Sequence, residues 1–169
     1  VLTMQQNLGD LAGKTVTYVG DFNNVARSLC EASALLGMHI RLSCPEGYDA
    51  QDNELLGLSE LGAASVEQYR DVSIAVQDAH AVHTDTWTSM GQESESAERE
   101  AVFAGYQVTD EIMSLADSKA IFMHCLPAHR GQEVASTVID GPQSKIYQQA
   151  HNRMHAARGV LAFLMGVKQ

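Results

Sequence analysis

At 169 residues, with 45% hydrophobic and 19% charged positions and neither a linker-like stretch nor an internal repeat, the chain reads as one globular domain able to bury a core. A formal net charge of −10, with 11 scattered basic residues against 21 acidic ones, argues against nucleic acid as a partner and suits a small cationic metabolite. Three cysteines without CxxC spacing argue against a disulfide framework and a zinc ribbon; with no apolar run near the ~20 residues of a membrane span, the expected setting is a reducing cytoplasm.

The opening Val1-Leu2-Thr3-Met4 reads as the interior of an amphipathic element. Lys14 to Val19 is a β-branched apolar run that stops at Gly20-Asp21, the pattern of a buried strand entering a turn. From Asn24 onward Val25, Leu29, Ala32 and Leu36 recur at helical spacing, with Asp21 or Asn23 available as N-cap and Gly37 as terminator. A second strand, His39 to Ser43, closes at Pro45-Glu46-Gly47, and a helix over Glu54 to Gly62 carries Leu55, Leu58 and Leu61.

A short strand at Ser65 to Gln68, a helix from Val72 to Gln77 capped by Asp71, and strands at Ala81 to Thr84 and Ala120 to Met123 continue the alternation. This order predicts an α/β fold: a single domain with an open parallel five-stranded sheet and helices on both faces, Rossmann-like. The last element, about Ser144 to Met165, places Ile146, Ala150, Met154, Ala157, Leu161 and Leu164 on one stripe. It is long for a globular helix and is expected to pack against more than this sheet.

Ligands of such sheets bind beyond the carboxyl ends of the strands, at the topological switch. Three polar loops fall there: Gly20-Asp21-Phe22-Asn23-Asn24, Asp85 to Gly91, and His124-Cys125-Leu126-Pro127. The first departs from a dinucleotide fingerprint, since Phe22 and Val25 stand where glycines are needed. Asn23 and Asn24 offer amides at a helix N-terminus, a place that favours a carboxylate, although one of them can simply cap the helix. Asp85 is either an ordinary turn residue or the partner of an ammonium group, and spacing does not separate the two. Cys125 ends a buried strand, where an inert thiol competes with a reactive one. His124, His129, His151 and His155 raise a metal reading, but His151-Asn152-Arg153-Met154-His155 lacks the Glu of a zincin motif, so no metal is expected.

Four strings then share one resemblance. Val19-Gly20-Asp21-Phe22-Asn23-Asn24-Val25-Ala26, His83-Thr84-Asp85-Thr86-Trp87-Thr88-Ser89-Met90-Gly91-Gln92-Glu93, Met123-His124-Cys125-Leu126-Pro127-Ala128-His129-Arg130-Gly131 and Asn152-Arg153 are similar, in order and spacing, to the second half of ornithine carbamoyltransferases. The resemblance implies transfer of a carbamoyl group from carbamoyl phosphate to the side-chain amine of L-ornithine, giving citrulline and phosphate without metal or organic cofactor. It implies that Asn24, Asp85, Ser89 and Met90 hold ornithine and that Cys125, Leu126 and Arg153 face carbamoyl phosphate. Asp85, Cys125 and Arg153 then form the catalytic set, with direct attack by the amine.

The Ser-x-Arg-Thr and His-Pro-x-Gln strings that this family brings in its first half do not occur in these 169 residues. The expectation is an ornithine-binding domain that lacks its carbamoyl phosphate domain, is inactive alone, and belongs to a homotrimer when full-length. A carbamoyltransferase for a related amine or acylated ornithine, and a non-catalytic amino-acid-binding module, are the competing expectations.

Overall fold

The computed structural model describes residues 1–88, 91 and 93–167. Helix α1 (Leu2–Leu8) precedes strand β1 (Thr15–Val19), helix α2 (Asn24–Ala34), strand β2 (His39–Ser43), helix α3 (Asp52–Leu61), strand β3 (Ser65–Tyr69), helix α4 (Val72–Val76) and strand β4 (Ala81–Thr84). Helices α5 (Ser96–Phe103) and α6 (Asp110–Leu115), strand β5 (Ile121–His124), helix α7 (Ser136–Ile139) and helix α8 (Ile146–Leu164) complete the chain. All neighbouring strands pair in parallel, in the order β3-β2-β1-β4-β5. The chain winds outward from β1 to β3, then returns to the other side of β1, so the switch point lies between β1 and β4.

Local chemistry sets several boundaries. Asn23 caps α2, its side-chain oxygen accepting from the N–H groups of Val25 and Ala26 at 2.9 and 3.0 Å. Helix α3 begins at Asp52, two residues ahead of the predicted Glu54, because Gln51 and Glu54 form a capping box in which Glu54 is the N3 residue. Asp71 accepts from the Ser73 N–H at 2.8 Å and starts α4 as its sequence position suggests. At the end of β1, Gly20 adopts φ 130°, a conformation an L side chain rarely takes, and the chain turns there above the sheet edge.

Two cores sandwich the sheet. On one side Val16, Tyr18, Ile40, Leu42, Ile121 and Met123 pack with Met4 of α1, Ala26, Cys30 and Ala34 of α2 and Leu58 of α3. On the other, Val19, Val82 and Phe122 pack with Val72 and Val76 of α4, Met113 of α6, and Val138 and Ile139 of α7. The alternation of sides along each strand follows from the two-residue repeat of a β-strand.

Helix α8 departs from a packed amphipathic helix. Only Ile146 and Asn152 are buried in it, and it is held by polar contacts to α1: Asn152 Nδ2 donates to Thr3 Oγ1 at 2.9 Å and to Gln6 Oε1 at 2.7 Å. The predicted stripe faces solvent for most of its length, with Met154 50%, Leu161 58% and Leu164 72% exposed. No helix among the described residues is long and apolar enough to cross a membrane.

Candidate functional site

The three loops predicted to converge do so, at the carboxyl edge above β1, β4 and β5. Register explains it: Val19 pairs with Thr84 and Thr84 with His124, so the loops leave the sheet at one level. The Thr84 hydroxyl, donating to the Val19 carbonyl at 2.7 Å, ties two of the strand ends together. The cleft they border has a volume of about 910 Å³ and is lined by Asn24, Asp85, Cys125, Leu126, Gln149 and Arg153 among others.

Asp85 is the centre of the polar network. It is 7% exposed, and its carboxylate accepts three hydrogen bonds: from the Thr86 N–H at 2.8 Å, from the Cys125 thiol at 2.9 Å and from Asn23 Nδ2 at 2.9 Å. Two of these partners come from other loops, 62 and 40 residues away, which a simple turn residue would not require. Asn23 therefore has two roles, capping α2 through its oxygen and orienting Asp85 through its amide nitrogen. Asn24, the next residue, is left to line the cleft.

The Cys125 thiol is pushed well above its ordinary value, first by burial and then by its hydrogen bond to Asp85 and that group's charge. It is therefore a protonated donor at neutral pH, the opposite of an activated thiolate. Beneath it, Tyr18 is raised well above its usual value by burial, with Asp85 and Cys125 adding to the shift. His83 stacks on Tyr18 with ring centroids 5.7 Å apart; burial, reinforced by His124, lowers it to about 3, so it is neutral.

Gln149 of α8 bridges the sheet to the helix. Its oxygen accepts from the His124 N–H at 3.0 Å, and its nitrogen lies 3.1 Å from His83 Nε2. One helical turn later Arg153 opens into the same cleft, near enough for its charge to favour the thiolate of Cys125 slightly. Ser89 and Met90 lie outside the described residues.

Four contributors were not legible in sequence. Gln149 and Glu133 sit in unremarkable polar positions, and Asn23 reads as a cap or a ligand amide but not as the partner of Asp85. Arg99, 3% exposed, pairs with Asp21 of the first loop, donates from Nε to the Trp87 carbonyl of the second, and stacks over Tyr48 and Phe103 at 4.8 and 5.2 Å. A lone arginine on the acidic run Ser96-Ala97-Glu98-Arg99-Glu100 carries no local sign of this role.

Asp85, His124 and Cys125 offer three ligand atoms within 4.8 Å of one another. Each is already engaged: the thiol with Asp85, His124 Nδ1 with the Leu126 N–H at 2.9 Å, and His124 Nε2 facing Glu133. A metal drawing one atom from each residue would compete with the Cys125–Asp85 hydrogen bond. His151 and His155 meet edge to face at 4.7 Å on α8 and do not line the cleft. Phe22 is buried in the core below the first loop, with its N–H on the Tyr48 carbonyl at 2.8 Å, which fits the absence of a glycine-rich phosphate cradle there.

Residues 12–164 match the family described as aspartate/ornithine carbamoyltransferase, Asp/Orn binding domain. An ornithine carbamoyltransferase of Parasynechococcus marenigrum is 48% identical over 167 residues, covering 98% of this chain and 52% of the relative. One of Symbiobacterium thermophilum is also 48% identical, over 98% of this chain and 54% of its own length. Among solved structures, ornithine carbamoyltransferase from Pyrococcus furiosus superposes with a TM-score of 0.89 at 42% identity, covering 99% of this chain and 55% of that one. The enzyme from Gloeobacter violaceus gives 0.87 at 40% identity, over 97% and 55%. The chain thus spans about half the length of the curated relatives it matches.

Proposed function

The chain belongs to the aspartate/ornithine carbamoyltransferase family, and from that premise we propose that it is the ornithine-binding domain of an ornithine carbamoyltransferase. The observation that carries this reading is the Asn23–Asp85–Cys125 network at the β1/β4 switch point, with Arg153 opening into the same cleft. In this reading Asn24 and the Met90 backbone receive the α-carboxylate of ornithine, and Asp85 and Ser89 receive amino groups.

The reaction joins the side-chain nitrogen of ornithine to the carbonyl carbon of carbamoyl phosphate, while the bond from that carbon to the phosphate oxygen breaks. The amine must be neutral to attack, and it loses a proton as citrulline forms. Asp85 and Cys125 position the amine, and the carboxylate is the acceptor for its proton. Arg153 stabilises charge developing on the carbamoyl oxygen and phosphate, and the Cys125–Leu126 backbone faces the carbamoyl group. A thiol held protonated by burial and by Asp85 supports direct attack by the amine over a covalent carbamoyl-cysteine.

The rest of the carbamoyl phosphate site, in this reading, comes from a preceding domain that also builds a homotrimer, and the reaction takes place in the cytoplasm. The exposed stripe of α8 is where that domain packs. Isothermal titration of this chain with L-ornithine, norvaline and NAD is the test. Weak binding of the two amino acids, near the ~millimolar level or about 4 kcal/mol, and no binding of NAD are expected. Citrulline production is expected only when the chain is joined to its first half. Binding of NAD without either amino acid would replace the proposal with a nucleotide-binding role, and full turnover by the 169 residues alone would remove the need for a second domain.

A further inference from the structure

Glu133 is 0% exposed, and among the described residues the basic side chains within 4 Å of its carboxylate are two imidazoles, with no lysine or arginine. Burying a carboxylate is costly unless its contacts compensate. Here Oε1 accepts the backbone N–H of His129 and lies 3.3 Å from His124 Nε2, close but without hydrogen-bond alignment. Oε2 is 3.9 Å from His129 Nδ1 and has no hydrogen bond.

His124 is itself buried, and its two ring nitrogens have opposite tasks. Nδ1 accepts the Leu126 N–H at 2.9 Å, so in the neutral ring the proton sits on Nε2, the nitrogen that faces the Glu133 carboxylate. Leu126 needs such a hold. It adopts φ 61°, a left-handed conformation that is unfavourable for an L side chain and persists only where the surroundings enforce it.

We propose that Glu133 is a positioning residue: by holding His124 in its Nε2-protonated form it fixes the Leu126 N–H, and with it the backbone that carries Cys125 and Leu126 into the cleft. Its meaning for carbamoyl transfer rests on the function proposed above, but the geometry can be tested without that reaction. Glutamate fits the task because an acceptor-only side chain selects the N–H form of the facing ring nitrogen. A glutamine can also present an N–H to that nitrogen, which favours the other tautomer and sets His124 against Leu126.

The first measurement needs no variant. The ¹⁵N resonances of His124 in the wild-type protein should report protonation at Nε2, and protonation at Nδ1 would overturn the proposal. In Glu133→Gln the His124 signal should become that of mixed tautomers. Site-resolved alkylation by iodoacetamide, read by mass spectrometry, should speed up at Cys125 by about tenfold, the scale set by losing one buried hydrogen bond. Cys30 and Cys44 should stay protected. Unchanged Cys125 labelling, or equal exposure of all three cysteines, would make Glu133 a packing residue and sink the idea. His124→Asn supplies an oxygen that can accept the Leu126 N–H without help from Glu133, so adding Glu133→Gln to it should change Cys125 labelling no further. An additive effect would show that Glu133 does not act through His124. Failure of ornithine to bind would remove the functional reading and leave these results standing.

Discussion

The Cys125 sulfur lies 2.9 Å from Asp85 Oδ1, and the thiol donates to the carboxylate. The contact bears on both groups. Together with burial, the larger cause, it keeps the sulfur protonated, and it is one of three hydrogen bonds to an aspartate whose other partners are the Thr86 N–H and the Asn23 amide. A ligand amine that enters the cleft meets a carboxylate already aligned by three loops.

Asp85→Asn in the full-length protein is therefore expected to lower turnover by about thirtyfold or more, corresponding to ~2 kcal/mol, because one charge-assisted contact to the amine is removed. Denaturant midpoints should move far less than activity does. In the same variant the Cys125 thiol should titrate closer to an ordinary cysteine, visible as faster alkylation at mildly alkaline pH. Near-wild-type turnover would return Asp85 to the role of a turn residue.

Cys125→Ser should leave reduced but measurable turnover, since a hydroxyl can still donate to Asp85 while packing less well. No carbamoyl adduct on Cys125 should accumulate in the wild-type protein during turnover, because a thiol raised this far supplies little thiolate. Rapid-quench mass spectrometry checks this, and an adduct formed and consumed at the rate of the reaction would establish covalent catalysis instead.

His83 ties stability to pH. Its folded value, about 3, lies below the ordinary 6.5, so the unfolded chain binds a proton that the folded one does not throughout that window. Stability from this group is fully present above pH 6.5 and falls as pH drops toward 3, by roughly 1.4 kcal/mol per pH unit within the window. Urea denaturation between pH 7 and pH 4 should show a steeper acid loss in the wild type than in His83→Gln. Equal slopes would mean that His83 is not buried in its neutral form.

The outer face of α8 presents Val160 and Leu161 at 58%, Phe163 at 83% and Leu164 at 72% exposure. An apolar face of this kind favours association. Light scattering of the 169-residue chain should show mass rising with concentration, and Leu161→Gln combined with Leu164→Gln should abolish the rise. A chain that stays monomeric at high concentration would show that this face does not drive self-association.

The five strands, the Asn23 and Asp71 caps and the convergence of three loops were legible in the chain itself, because strand alternation and helix capping depend on residues a few positions apart. Helix α6 carries a similar local signal in Thr109-Asp110-Glu111: the Thr109 hydroxyl accepts from the Ile112 N–H at 3.3 Å. The sequence motifs also selected Asp85, Cys125 and Arg153, but not their relations. Only the tertiary structure decided that Asn23 serves Asp85 while Asn24 lines the cleft, and that Arg99 spans 78 residues to hold Asp21. Tertiary packing alone also set Glu133 behind His124 and left the apolar stripe of α8 uncovered. Such pairings arise when strands in parallel register bring loops together at one sheet edge, where each buried polar atom takes whichever partner the packing delivers, at sequence distances that no local pattern encodes.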